Sequence, residues 1–207
     1  MRMSSDTQKR RKPQQLRGEQ RMAAMLDAAA AVFAESGFDA ATMTAIAERS
    51  GSSIGALYQY FPNKLTLARA LREQYGEDMA QRWSGLTTDA AHLSVNALAD
   101  RVFDLMIGFF DEHPAYFALL NATLGYQRSA DARQRLRAQF GAVLRQKNPE
   151  MEEEEALRTA NVALQIVKGL NPLYAQASAA ERRKLVAEFK LALQAYLKIR
   201  LHKSSAG

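Results

Sequence analysis

Residues 37–64 combine small, hydroxyl-bearing, aromatic and basic side chains at spacings that suit a helix held against DNA: GFDAATMTAIAERSGSSIGALYQYFPNK. Two short helices that cross steeply need a small residue where their backbones approach, and Ala47 can supply it. The turn between them needs a residue that tolerates positive φ, and Gly51 can supply that. Ile46 and Leu57 then close the seam from either side. The segment therefore predicts a helix-turn-helix.

The composition argues against an enzyme. The chain of 207 residues has no cysteine, and its three histidines, His92, His113 and His202, are too scattered for a metal-ligand motif. Neither a nucleophile with a base nor a Gly-rich phosphate loop after a strand occurs. We therefore predict no catalytic residues, no metal site and no cofactor. The lack of cysteine, of a secretory signal and of any apolar run near the roughly 20 residues that span a bilayer predicts a cytoplasmic protein.

The positive charge is concentrated in the first third of the chain. The net charge is +6, and up to Arg72 there are 11 basic and 6 acidic residues, against 17 and 16 afterwards. The densest basic run is Lys9, Arg10, Arg11 and Lys12. Such a run can be a solvated tail, but beside a helix-turn-helix it can also reach phosphates or an adjacent minor groove.

Helical spacing prevails after residue 18, so we predict an all-α fold of about nine helices. Residues 1–18 are predicted to be a disordered basic arm, residues 19–65 a helix-turn-helix DNA-binding domain, and residues 66–207 a larger helical domain for ligand binding and dimerisation. The first helix is predicted to end at Ser36 and Gly37, and the fourth near Trp83. Pro172 is expected to kink or loosen the end of a long helix. Helix-capping residues are predicted at Thr42 or Thr44, Ser53, Asn63 and Ser178.

The segment of about residues 20–70 resembles the TetR family of bacterial transcriptional repressors. The resemblance rests on the order and spacing of Phe33, Gly37, Phe38, Thr42, Ile46, Ala47, Gly51, Ser53, Gly55, Leu57, Tyr58, Tyr60, Phe61 and Lys64. The remaining three quarters of the chain resemble the family only in general plan. Ser52, in the turn, and Leu65, after Lys64, depart from the usual aliphatic and acidic residues at those positions.

The resemblance implies which residues meet DNA. Hydrogen bonds to phosphate are expected from Thr42, Ser53, Tyr58, Tyr60 and Lys64. The third helix should enter the major groove, where the base-reading candidates are Thr44, Ile54, Gly55 and Gln59. The competing interpretation of Tyr58 is that it packs in the domain core. The resemblance further implies double-stranded operator DNA and a homodimer as partners.

The central segment is rich in aromatic residues and methionine, which suit a deformable apolar pocket. Most of these residues are expected to be core, and the candidates for ligand contact are Trp83, Met106, Phe109, Phe117, Asn121, Asn161 and Gln165. The last two long helices resemble half of an intermolecular four-helix bundle, with dimer candidates Leu164, Leu185, Phe189, Leu193 and Tyr196. Each of these can equally be intramolecular core.

The sequence thus predicts a repressor that binds a palindromic operator as a dimer and is released by a small, largely apolar ligand. The alternative is a DNA-binding protein whose C-terminal domain binds a protein partner. A filled core in the central helices would favour that alternative, and a connected apolar cavity would count against it.

Overall fold

The computed structural model describes residues 6–122 and 130–201, although the side chains of 6–15, 89, 91, 121 and 130–132 are not described. Within these ranges the chain forms nine α-helices and one short 3-10 helix, and no strand, which confirms the predicted all-α class. The helices are α1 (Asp6–Ala40), α2 (Met43–Arg49), α3 (Ile54–Tyr60), α4 (Lys64–Asp89), α5 (Val95–Glu112), α6 (Tyr116–Asn121), α7 (Ala130–Lys147), α8 (Glu153–Gln176) and α9 (Ala179–Leu201). The 3-10 helix covers Ala90–His92.

The start of α1 differs from the sequence-based prediction. Residues 1–18 are predicted to be disordered, whereas the helix begins at Asp6, and residues 1–5 lie outside the described ranges. Many of the residues that precede Gly18 are Gln, Lys and Arg, which have good helix propensity. At the other end, Gly37 has a non-helical backbone (φ 78°, ψ 168°). The regular helix therefore ends at Ser36, as predicted.

The predicted helix-capping residues hold the first turns of four helices. In each case a side-chain oxygen accepts the backbone N–H of the residue three positions later, at distances of 3.1, 3.2, 2.8 and 3.3 Å for Thr42, Ser53, Asn63 and Ser178 respectively. These bonds satisfy N–H groups that have no partner within their own helix. The starts of α2, α3, α4 and α9 are thus set by local chemistry.

α4 is longer than predicted, and α8 continues past its proline. α4 continues to Asp89, beyond the predicted end near Trp83, with Gly85 inside the helix. α8 runs through Pro172 to Gln176, so this proline does not end the helix. In the described residues, no helix is long and apolar enough to cross a membrane.

The chain divides into two compact units. One holds the described residues of Met1–Tyr75 and His113–Tyr126, and the other holds those of Gly76–Glu112 and Gln127–Gly207. The division falls within α4, ten residues after the predicted domain limit at residue 65, and it adds α6 to the first unit. Arg72 contributes to that assignment, since its guanidinium donates a 3.0 Å hydrogen bond to the Leu119 carbonyl of α6.

Each unit has its own apolar core. That of the first unit includes Met25, Ala29 and Phe33 of α1, together with Ile46, Leu57, Leu67 and Leu71. That of the second includes Leu98, Phe103, Phe109, Phe140, Leu144, Leu170 and Leu197. The predicted helix-turn-helix therefore belongs to a unit with a core of its own.

Candidate DNA-binding interface

The seam between α2 and α3 is built as the sequence predicts. Ile46 and Leu57 are fully buried, and Ala47 is almost so. Gly51 lies in the turn with φ of 63°, in the left-handed region that residues with a Cβ rarely adopt. Only Leu57 of α3 is buried. Leu57 therefore packs in the seam, Ala56 is half-buried, and the other five residues of α3 are exposed.

The outward surface of α3 carries most of the predicted DNA contacts. Ile54, Tyr58 and Tyr60 are 41, 49 and 37 % exposed, which is unusual for such apolar side chains on a helix of seven residues. Gln59 and Gly55 are also exposed, and a Cβ added at Gly55 would meet no atom within 4 Å. Tyr58 thus does not pack in the domain core.

The predicted phosphate contacts Thr42 and Ser53 are exposed and oriented by their capping bonds. The hydroxyl oxygen of each accepts a backbone N–H, so its own proton is left to donate. Thr44, a predicted base contact, is also exposed, in the first turn of α2. These hydroxyls and the outward residues of α3 all belong to the first unit.

Lys64 has a structural role that the sequence does not reveal. Its ammonium donates 2.8 Å hydrogen bonds to the carbonyls of Asp39 and Ala41 and lies 4.7 Å from the ring centroid of Phe38. These contacts join the first residue of α4 to the segment that leads into α2. An ammonium has three N–H donors, so one remains for a phosphate.

α1 lies close to the helix-turn-helix at two further places. The Arg49 guanidinium of α2 forms a 2.6 Å ion pair with Glu35 of α1. Near the other end of α1, a Cβ added at Gly18 would lie 3.7 Å from the Tyr60 hydroxyl. The helical segment before Gly18, which includes the basic run, therefore extends from a point next to α3. Neither proximity has a sequence signal, since the residues are far apart in the chain.

The predicted ligand residues fall in both units, and those whose side chains are described differ in burial. In the second unit Trp83, Met106 and Phe109 are buried, and the Trp83 ring packs edge-on against Phe140 with centroids 6.0 Å apart. Phe117 belongs to the first unit, Gln165 is exposed, and the side chain of Asn121 lies outside the described residues. Asn161 is half-buried, and its buried Oδ1 atom has no hydrogen-bond partner among the described residues.

The aromatic residues instead fill core space. Phe109 has no exposed surface, so it borders no space that a water molecule could enter. A cleft of about 570 Å³ does open in the second unit, but none of the predicted ligand residues lines it. The periodicity that marks a buried helix face cannot distinguish packed aromatics from aromatics around a ligand.

The predicted dimer residues fall into a buried group and a half-buried group. Leu164 and Leu193 are buried within their own chain, so they have almost no surface to offer a second copy. Leu185, Phe189 and Tyr196 are half-buried. The Phe189 ring lies 3.2 Å from where a Gly169 Cβ would stand, which places it against α8 of the same chain. The exposed apolar residues of these two helices are Leu157, Val162, Leu173, Leu191 and Ile199.

Comparisons with known proteins agree with this architecture. The family model described as bacterial regulatory proteins, tetR family, matches residues 25–71. The model described as Tetracyclin repressor-like, C-terminal domain, matches residues 94–197. The first covers the helix-turn-helix and the second covers α5 to α9.

Solved structures show the same fold. A TetR-family transcriptional regulator from Streptomyces coelicolor is 26 % identical, with a TM-score of 0.62 over 86 % of this chain and 98 % of that one. A TetR-like regulator from Rhodococcus sp. RHA1 is 22 % identical, with a TM-score of 0.59 over 89 % and 97 %. The TetR-family regulator PfmR from Thermus thermophilus is 16 % identical, with a TM-score of 0.57 over 88 % and 99 %.

A curated relative matches only in the DNA-binding part. The HTH-type transcriptional repressor KstR of Mycolicibacterium smegmatis is 44 % identical over 43 residues, and this chain spans 21 % of the length of that protein. Taken with the family models, these likenesses define the protein as a bacterial transcriptional regulator with an N-terminal DNA-binding domain. The chain belongs to the TetR family.

Proposed function

We propose that this protein is a repressor that binds a palindromic operator as a homodimer and responds to a small molecule. The observation that carries the DNA-binding part is the outward surface of α3, where Ile54, Tyr58 and Gln59 are exposed while Leu57 alone is buried. A short helix held by one buried residue can enter the major groove with the rest of its surface. The KstR relative is a transcriptional repressor.

In this proposal some contacts position the protein on the DNA backbone, and others recognise the bases. Thr42, Ser53, Tyr58, Tyr60 and Lys64 donate to phosphate oxygens and fix the docking. Gln59 can pair with an adenine edge, Ile54 can meet a thymine methyl, and Thr44 can donate to or accept from a base. The basic run from Lys9 to Lys12 adds charge that neutralises phosphates beside α3.

The test begins with selection of an operator from a random duplex pool, followed by affinity measurements at several salt concentrations. Tyr58→Phe should weaken binding to every sequence without changing the salt slope, because it removes a hydroxyl and no charge. Gln59→Ala should mainly relax preference at one base pair, by about 1–3 kcal/mol. If the selected sequence is bound no better than random DNA, or if both variants bind as the parent does, this docking is wrong.

For the dimer, we propose a surface of α8 and α9 other than the buried Leu164 and Leu193. Its exposed apolar residues are Val162, Leu173, Leu191 and Ile199. Val162 and Leu173 are eleven residues apart, about three helical turns, and so lie on one face of α8. On α9, Leu191 and Ile199 are 60 and 61 % exposed. A second copy of the chain is the partner that this surface fits, because a twofold dimer matches the symmetry of a palindrome.

The effector is proposed from the likeness of residues 94–197 to the tetracyclin-repressor C-terminal domain and from the open cleft of the second unit. The burial of Trp83, Met106 and Phe109 argues against a largely apolar ligand among those side chains. That packing favours the second candidate, a regulator whose C-terminal part binds a protein. A mobility-shift screen separates the two, since the effector proposal requires some small molecule to release the operator.

A further inference from the structure

The cleft of the second unit lies among α5, α8 and α9. Its volume of about 570 Å³ falls within the range of small-molecule sites. Its lining residues recur at helical spacing along α5 and α9, with one residue from α8: Asp104, Ile107, Asp111, Tyr174, Ala179, Arg182, Arg183 and Val186. The spacing shows that one face of α5 and one face of α9 form the two walls.

The two walls carry opposite charges. Asp104 and Asp111 lie on the α5 wall, and Arg182 and Arg183 lie on the α9 wall. Asp111 is next to the last residue of α5, where the helix dipole favours a bound cation. Arg182 and Arg183 are near the start of α9, where the dipole favours an anion. Side chains and helix ends therefore set the same polarity across the cleft.

Two of the four charges are already engaged within the protein. Asp104 accepts a 2.9 Å bond from Lys190, whose pKa is raised because its bonds to Asp104 and Asp100 outweigh the effect of burial. Arg182 donates a 3.0 Å bond to the Tyr174 carbonyl and lies over the Tyr174 ring at 4.7 Å. These contacts hold one acidic and one basic group in place.

The other two charges, Asp111 and Arg183, are exposed and face ligand space from opposite walls. Within the part of the chain that the structure describes, no ion pair joins either of them to another residue. Two opposite charges that share a cleft without pairing can be satisfied together by a molecule that carries both signs.

Between the charges the lining is apolar. Ile107 and Val186 come from the two walls, and Ala179 and the Tyr174 ring complete the surface. Burial raises the pKa of the Tyr174 hydroxyl, and the Asp111 carboxylate raises it further, while Arg182 acts in the opposite direction. The phenol therefore stays protonated near neutral pH and can donate a hydrogen bond.

We propose that this cleft binds a small zwitterion, with its ammonium group at Asp111, its carboxylate at Arg183 and a short apolar chain against Ile107 and Val186. A ligand with only one charged group leaves the other wall unpaired and should bind more weakly. This inference names a ligand class for the proposed response to a small molecule. Binding in the cleft does not depend on the proposed function, but an effect of that binding on DNA affinity does.

The experiment uses the full chain with its five isoleucine δ1 methyl groups labelled for NMR. Ile107 is the reporter in the cleft, and Ile46, Ile54, Ile166 and Ile199 are internal references. The probes are ω-aminocarboxylates from 4-aminobutanoate to 8-aminooctanoate, with hexanoate and hexylamine as single-charge controls. At least one ω-aminocarboxylate should shift the Ile107 signal at lower concentration than either control, while the signals of Ile46 and Ile54 stay in place.

Two variants then test which residue binds each charged end of the ligand. Asp111→Asn and Arg183→Gln should each weaken binding of that ω-aminocarboxylate at least tenfold, and Asp111→Asn should spare hexanoate. Glu188→Gln is the matched control, since Glu188 is exposed on α9 outside the cleft. The proposal is overturned if no ω-aminocarboxylate shifts Ile107, if the single-charge probes bind equally well, or if the two variants behave as the control does.

The outcome for DNA is read separately. If an ω-aminocarboxylate shifts Ile107 but leaves operator affinity unchanged, the site stands and this molecule does not act through it on DNA. If Ile107 does not respond while another compound from the screen releases the operator, the site is wrong and the proposed ligand response stands.

Discussion

Two glycines of the helix-turn-helix serve different purposes, although the sequence shows both simply as glycine. Gly51 has φ of 63°, so its lack of a Cβ is needed for the fold. Gly55 lies inside α3 with open space around the position of a Cβ, so nothing within the described part of the protein requires a glycine there. The first position concerns stability, and under the proposed function the second concerns the approach of α3 to DNA.

Gly51→Ala should lower the free energy of unfolding by about 1–2 kcal/mol, because a Cβ in the left-handed region meets the adjacent carbonyl. Gly51→Asn should cost less, since asparagine tolerates this region better. Chemical denaturation followed by circular dichroism measures both values. An alanine variant as stable as the parent would contradict the role given to the turn.

Gly55→Ala should change the stability in the opposite direction. Replacing glycine inside a helix with alanine should raise stability by roughly 0.5–1 kcal/mol. The added methyl group stands on the outward surface of α3, so affinity for the selected operator should fall. Denaturation measures the change in stability, and fluorescence anisotropy on the same preparation measures the change in DNA affinity. A variant that gains stability and keeps full affinity would show that α3 does not approach DNA at this point.

At the scale of elements, Lys64 connects the start of α4 to the segment before α2. Its two carbonyl bonds at 2.8 Å and its contact with Phe38 hold that segment in place. The same side chain is a predicted phosphate contact, and the two roles are compatible because an ammonium has three donors. Stability and DNA affinity must therefore be measured separately in variants of Lys64.

Lys64→Ala should lower the free energy of unfolding by about 1 kcal/mol, a reduced value because the side chain is half-exposed. It should also lower the salt slope of DNA binding by about one unit. The control is Arg49→Ala, which breaks an exposed ion pair to Glu35 at little cost in stability. If the salt slope of Lys64→Ala equals that of the parent, this lysine is purely structural.

At the scale of elements, a structural feature can be predicted from the sequence when the residues that cause it are close together in the chain. The capping bonds of Thr42, Ser53 and Ser178 reach three residues along the chain, so their positions can be predicted from the sequence. The bond from Arg72 to Leu119 joins residues far apart in the chain, and no local pattern indicates it. The assignment of α6 to the first unit rests on such distant contacts.

The candidate sites show the same difference. The outward residues of α3 are predicted from the family motif, and the structure finds them exposed. Trp83 and Phe109 are predicted as ligand contacts from composition, which cannot tell a packed core from a lined cavity. The charged lining of the cleft, such as Asp111 and Arg183, depends on the placement of α5 beside α9. That placement has no sequence signature.

At the scale of the whole molecule, one helix-turn-helix offers few phosphate contacts, and the proposed dimer would double them. The proposed dimer surface is costly to leave in water because its large apolar side chains are exposed. They are Val162 and Leu173 of α8 and Leu191 and Ile199 of α9. Buried Leu193 and exposed Leu191 lie two residues apart on α9, on different faces. A second copy therefore has a surface available without disturbing the core of the first.

The double variant Leu191→Glu with Ile199→Glu should convert the dimer to a monomer. Burying each such side chain contributes about 1.5–3 kcal/mol, so losing two per chain should weaken association at least roughly 100-fold. Sedimentation velocity gives the mass, and anisotropy should show that the palindrome is then bound no better than a half-site. Leu157→Glu is the control, an exposed leucine of α8 about 140° around the helix from Val162. A dimer that survives the double variant, or a control that also dissociates, would show that the two copies meet elsewhere.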